Sequence, residues 1–413
     1  MILENTFNKR TYFTIVLVLG ALCTISPFSI DMYLPGFPEM ARDLGTPISQ
    51  IQLSLTAYLV GIAIGQLFYG PLLDKYGRKK PLYIGLGIYV LASIGCAFSQ
   101  SVENLIIMRL FQALGGCVGM VCAQAMVRDI FPVQKTAQVL ALLTLVIAVS
   151  PMIAPTLGGY VTAFYNWHWV FIILALLTVI IWIAAIYVLP DGADPDPAIS
   201  LRPQKVWINY REVMQNRQFL VYMLVGGLAG AAPFAYIASS ADVFMNIYQV
   251  SEQTYGWIFG LLAFAMIGST QLNHLLLKKF KSQQIINFSL NYQVITGLVL
   301  VVGTYFQLYN VYVLVALMFL FLTAHGLNGP NTAALSMEPF SRNAGSASAL
   351  LGSLRMAIGG IVTAVVSFFH DGTAFPMVMG MAACALAGFI ILKSDQQIPG
   401  SISRKYPSPS MGN

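Results

Sequence analysis

Three ionisable side chains interrupt stretches of this 413-residue sequence that are otherwise apolar: Asp31 in "SPFSIDMYLPGFP", Arg109 in "LIIMRLFQALGG" and Arg355 in "GSASALLGSLR". A charge in apolar surroundings is costly unless it is paired, wetted or used, so each is a candidate for function. A carboxyl can take up and release a proton, and desolvation and nearby cations together set its affinity. Asp31 is therefore expected to carry a coupling proton, with Arg109 tuning it; the other reading is that Asp31 only ends its apolar run at the headgroups, beside Tyr33 and Pro35. Counted at 1.5 Å per residue, Arg109 falls ~9 Å inside its run and Arg355 ~16 Å inside its own, near the middle of a bilayer. Arg355 is read as a substrate or gating contact. His325, Asn328 and Asn331 recur at i, i+3 and i+6, a polar stripe that can face the same cavity. Gln112, one turn beyond Arg109, joins that candidate lining. Asp129, in "VRDIFP", is read as a loop anchor.

The elements that must position these groups follow from composition. Only 9% of residues are charged and 57% are hydrophobic, which excludes an ordinary soluble domain. The apolar runs are about 20 residues long, enough to cross ~30 Å of hydrocarbon as helices. Polar breaks separate twelve of them, at 12–34, 49–71, 81–100, 104–127, 136–163, 167–189, 218–240, 252–276, 284–306, 311–334, 344–368 and 373–393. The expected fold is an all-α membrane protein with twelve transmembrane helices in two six-helix bundles. Its parts are residues 1–189, a linker with a surface helix at 190–217, residues 218–393, and a tail at 394–413. On that surface helix Val206, Tyr210, Val213 and Met214 share one face. Trp167, His168 and Trp169 read as an aromatic belt.

Of 22 Lys and Arg residues, Arg109 and Arg355 fall inside spans, only Arg42 falls in an outer segment, and the other 19 lie on the side that also holds both termini. By the positive-inside rule both termini are cytoplasmic. The net charge of +6 then needs no nucleic acid partner. The five cysteines lie inside apolar runs at spacings that suit neither disulfides nor zinc. No metal or cofactor is expected. Four scattered histidines, with no H-E-x-x-H pattern and no nucleophile elbow, argue against an enzyme. A shift of 203 positions lays residues 65–80 on 268–283, matching Gly65 with Gly268, Lys75 with Lys278 and Arg78 with Lys281.

In "GPLLDKYGRKKP", Asp74 ends the second span, where the helix's own partial negative charge is unfavourable to it. Arg78, four residues on, can compensate, and so can the N-terminus of a neighbouring inner helix. Gly70 and Gly77 permit a close backbone approach and a tight turn. The stretch is not a P-loop: six residues separate the glycines and no Ser or Thr follows Arg78. In the fifth span, "SPMIAPTLGG" places Pro151 and Pro155 one turn apart with Gly158 and Gly159 after them, so a kink is expected.

The loop stretch resembles the signature G-x-L-x-D-x-x-G-R-K/R of the major facilitator superfamily. With "SIDMYLPGFP", "VRDIFP" and "GSASALLGSLR", the chain is similar to its drug:proton antiporters of the bicyclomycin and chloramphenicol resistance (Bcr/CflA) subfamily. The fifth span resembles an exporter motif, and Arg109 with Gln112 resembles a fourth-span motif of proton-coupled members, Ala113 replacing its glycine. The resemblance implies a monomeric multidrug efflux transporter of the inner (cytoplasmic) membrane. It would work by alternating access, exchanging protons for small-molecule drugs while in contact with membrane lipid. A uniporter or symporter of a small metabolite shares the fold and is the alternative.

Overall fold

The computed structural model describes residues 9–197, 203–340 and 344–397. Most of the tail expected at 394–413, and parts of the linker, lie outside the described residues. The helices are α1 (Lys9–Asp31), α2 (Phe37–Asp43), α3 (Ile48–Tyr76), α4 (Lys79–Ala97), α5 (Val102–Ile130), α6 (Val133–Phe164), α7 (Trp167–Val188), α8 (Pro203–Gln215), α9 (Arg217–Ala241), α10 (Glu252–Leu276), α11 (Ser282–Tyr305), α12 (Val311–Met337), α13 (Ala344–Phe368) and α14 (Phe375–Gln397). All except α2 and α8 are long and apolar enough to cross a membrane, with α2 continuing the first crossing, which makes twelve such segments. Each matches an expected run to within a few residues. The first departs most, because α1 stops at Asp31 and the chain passes through a 3-10 turn, Leu34–Gly36, into α2.

The chain divides into two compact units. One comprises residues up to Val206 together with Val250–Gly260; the other comprises Trp207–Gln249 and the chain from Leu261 onward. In the first, α5 packs on α3, α4 and α1, while α1 also packs on α6 and α4 on α7. Small residues set how near these helices come. A Cβ at Gly61 would lie 2.6 Å from Ala113 Cβ, and one at Gly115 would lie 2.5 Å from the Tyr89 backbone nitrogen. Such contacts bring backbones together where lipid supplies no hydrophobic drive between helices. Leu19, Leu22, Leu86, Tyr89, Val118 and Met126 fill the space between them. The start of α10 joins this unit because Gly256 lies against the backbone of Thr156, whose Oγ1 donates to the Gly256 carbonyl at 3.2 Å.

In the second unit α9 packs on α12, α13 and α14, and α11 on α12 and α14. Tyr222, Val225, Ala229, Ile286, Leu290 and Leu392 form a core there. The surface helix is present as α8, with Tyr210 and Val213 buried and Trp207 and Ile208 exposed. Large exposed side chains such as Phe68, Leu91, Tyr187 and Tyr312 are ordinary for a multi-pass membrane protein, whose outer surface faces hydrocarbon.

Candidate functional site

Asp31 is the last residue of α1 and is 3% exposed. No hydrogen bond or ion pair joins its carboxylate to another described residue. A buried carboxyl without a counter-ion can change its protonation state without breaking an ion pair.

The expected pairing with Arg109 is not present. Arg109 is fully buried, and its guanidinium is solvated by other means. Its carbon lies 4.0 Å from the Tyr33 ring centre and 4.1 Å from that of Tyr58. Its amino groups donate to Gln112 Oε1 at 2.6 Å and to the Ser29 carbonyl at 2.9 Å. Gln112 Nε2 passes the chain on to Ser93 Oγ, and the Ser29 and Tyr89 hydroxyls share a hydrogen bond. Arg109 thus ties α1, α3, α4 and α5 together, gripping α1 one half-turn before Asp31. Gln112, expected to line a cavity, is fully buried in this network instead. Tyr58 could not be singled out from sequence, since an aromatic residue in a span is commonplace.

At the α3–α4 junction, Arg78 donates to Asp74 Oδ1 at 2.5 Å and to Asp129 Oδ2 at 2.7 Å. Arg78 is thus shared between Asp74, as expected, and a second carboxylate at the end of α5. Both carboxylates hold the Arg78 guanidinium well above its ordinary proton affinity. Asp129 also accepts from the Ala193 amide, and the Asp74 carbonyl accepts from the Asp196 amide. Gly77 is needed for its backbone, at φ 80° and ψ 170°. Gly70 is not: nothing lies within 4 Å of the Cβ it lacks, so the close approach expected there is absent.

Helix α6 runs unbroken through Pro151 and Pro155. Gly158 lets it meet the backbone carbonyl of Met32, and a Cβ at Gly159 would lie 2.6 Å from the carbonyl of Glu252. Trp167 is not part of a membrane belt. It is fully buried, its amide donating to Glu39 and its indole nitrogen to Asp43 on α2, while Trp169 is exposed.

The stripe on α12 does not share one outlook. Asn328 meets Ser289 and Gln293 on α11, and Asn331 donates to Asn273 on α10 at 2.6 Å. Both asparagines are buried in helix packing. His325 lies against Gly230 of α9. Arg355 on α13 donates to Thr332 Oγ1 at 2.9 Å and lies beside Gly226 of α9. Among the described residues no cluster of His, Cys, Asp and Glu could hold a metal ion, and all five cysteines are buried and free.

Twelve membrane-crossing segments around buried ionisable groups define a polytopic membrane transporter. The chain belongs to the Major Facilitator Superfamily, whose sequence profile matches residues 18–364. It is 29% identical to the bicyclomycin resistance protein homolog of Haemophilus influenzae, over 92% of this chain and 95% of that protein. It is 33% identical to the uncharacterized MFS-type transporter YdgK of Bacillus subtilis, over 94% of this chain and 96% of that one. A chloramphenicol resistance protein of Pseudomonas aeruginosa is 29% identical, over 88% and 86% of the respective chains. Among solved structures, a D-xylose-proton symporter aligns over 95% of this chain and 99% of its own with a TM-score of 0.74; at 15% identity the likeness is one of fold.

Proposed function

We propose that this chain is a proton-coupled exporter of amphiphilic drugs of the bicyclomycin and chloramphenicol kind, acting from the inner membrane with both termini in the cytoplasm. The observation that carries the coupling is Asp31, a buried carboxyl with no cation beside it, at the break in the first crossing. Relatives named for resistance to bicyclomycin and to chloramphenicol support the direction and the cargo. In this reading Asp31 takes a proton from the outer side and releases it inward, and its charged form and the substrate occupy the protein at different stages of alternating access. Arg109 acts on Asp31 indirectly, by fixing the Ser29 carbonyl and the Tyr33 ring on either side of it. The Arg78 bridge to Asp74 and Asp129 braces the ends of α3, α4 and α5 within the first unit. Small-molecule drugs, protons and lipid are then its partners, with no cofactor and no nucleic acid, and the working unit is a monomer.

The test is drug-induced proton movement in energised, oriented vesicles that contain the native protein or Asp31→Asn. Native protein is expected to dissipate the pH gradient when drug is added, and Asp31→Asn to bind drug without moving protons. Proton movement retained in Asp31→Asn would remove the carboxyl from the mechanism. If no drug moves protons in either protein, a metabolite uniporter or symporter is the better reading.

A further inference from the structure

Arg355 and His325 each leave a ring or guanidinium nitrogen without a hydrogen-bond partner in the second unit, as Arg109 does at its Nε in the first. Those two atoms, Arg355 Nε and His325 Nδ1, are buried. Buried polar atoms are rarely left unsatisfied, and where they are, water, an ion or a ligand commonly completes them. Only Thr332 Oγ1 meets the Arg355 guanidinium, and no carboxylate is paired with it among the described residues. Thr332 donates its own hydrogen to the Asn328 carbonyl at 2.8 Å, which leaves its oxygen free to accept from Arg355.

The neighbouring helix is bare at this place. A Cβ at Gly226 would lie 2.6 Å from Arg355 Nη2, and one at Gly230 would lie 3.6 Å from His325 Cε1. Thr332 and His325 are seven residues apart on α12, so the anchor of the guanidinium and the imidazole are ~10 Å apart along that helix. That separation suits a single small drug. An unneutralised guanidinium attracts carbonyl, nitro and carboxylate oxygens, which it can bind through its planar fork, and it repels cations.

We propose that Arg355, seated on Thr332 and Gly226, is a substrate subsite that binds an oxygen acceptor group of a neutral or acidic amphiphile, with His325 Nδ1 contacting the same molecule farther along α12. This rests on the exporter reading and specifies its cargo: acceptor-bearing drugs rather than lipophilic cations. Asn328 and Asn331 hold α12 in register beneath the subsite and do not touch the ligand.

The experiment measures equilibrium binding of chloramphenicol and of tetraphenylphosphonium to the purified full-length protein in detergent. Native protein is expected to bind chloramphenicol, Arg355→Gln to bind it at least about tenfold more weakly, and Arg355→Lys to lie between them, because the charge survives but the fork does not. Tetraphenylphosphonium binding is expected to be unchanged or tighter in Arg355→Gln. Equal weakening of both ligands in Arg355→Gln, or chloramphenicol binding within about twofold of native, would overturn the subsite. A companion measurement needs no substitution: chloramphenicol should slow the modification of Arg355 by phenylglyoxal, read by mass spectrometry, and tetraphenylphosphonium should not. If chloramphenicol neither binds nor shields Arg355 in the native protein, the subsite fails. Proton movement driven by tetraphenylphosphonium and dependent on Asp31 would still support the exporter reading in that case.

Discussion

A guanidinium held away from carboxylates has to be solvated by something else, and fully buried Arg109 and partly buried Arg355 differ in how completely that happens. Arg109 has two tyrosine faces, a glutamine oxygen and a backbone carbonyl. A desolvated cation over an aromatic face gains about 2 kcal/mol or more, and a charged hydrogen bond about 1.5–3 kcal/mol. Those contacts make Arg109 a fixed part of the first unit. Arg355 has one hydroxyl, lies directly against the Gly226 backbone and is only partly buried, which leaves it receptive. A third arrangement lies at the end of a span, where Nε2 of His370, just beyond α13, meets Asp242 Oδ2 at 2.7 Å and Asn246 donates to the other oxygen of Asp242. Asp371 is the other charged group acting on His370. The hydrogen bond to Asp242 raises the proton affinity of His370, and burial opposes it. A histidine whose proton affinity is higher folded than unfolded contributes stability that is complete below its ordinary value, near 6.5. That contribution is lost as pH rises through the raised value of the folded protein. The melting temperature of native protein should therefore fall across that window, and His370→Gln should lack that fall. A melting curve with the same pH dependence in both proteins would separate this pair from stability.

Among the elements, the α3–α4 junction shows how two glycines of one motif can differ in purpose. Gly77 has φ 80° and ψ 170°, a region that side chains enter at a cost of about 1–3 kcal/mol. Gly70 lies in mid-helix with open space beside it. Gly77→Ala should lower the melting temperature in detergent and weaken the Arg78 bridge, whereas Gly70→Ala should be neutral or slightly stabilising, because alanine is the better helix former by about 1 kcal/mol. A larger loss for Gly70→Ala than for Gly77→Ala would invert the argument. The extent of the spans was legible in the sequence because an apolar run of about 20 residues has few other uses. What each span faces was not. His325, Asn328 and Asn331 cover about a third of a helical turn in arc, wide enough for one to meet α9, another α11 and the third α10. The burial of Trp167 was hidden for a related reason. Its partners Glu39 and Asp43 sit on α2, a seven-residue helix too short to leave a periodic signal. Arg78 was legible as a partner of Asp74 because the two are one helical turn apart, while Asp129 lies 51 residues further along the chain.

At the scale of the whole molecule, charge is distributed by side as well as by depth. Outer and inner connections differ in sign: "DKYGRKK" and "KKFK" carry the cations, while Glu39, Asp43, Glu103, Asp242, Glu252 and Asp371 lie toward the other side. The positive-inside rule predicts that such an arrangement sits with its basic side in the cytoplasm. The native protein offers a clean background for testing this, because all five of its cysteines are buried. Gln307 is exposed in the turn after α11, and Lys279 is exposed in the turn after α10. A cysteine placed at Gln307 should react with a membrane-impermeant maleimide added to intact cells, and one placed at Lys279 should react only after the membrane is opened. The opposite pattern would put the basic loops outside. The proposed direction of transport would then have to be reversed, since Asp31 would open toward the cytoplasm at the stage when it is meant to take up a proton from outside.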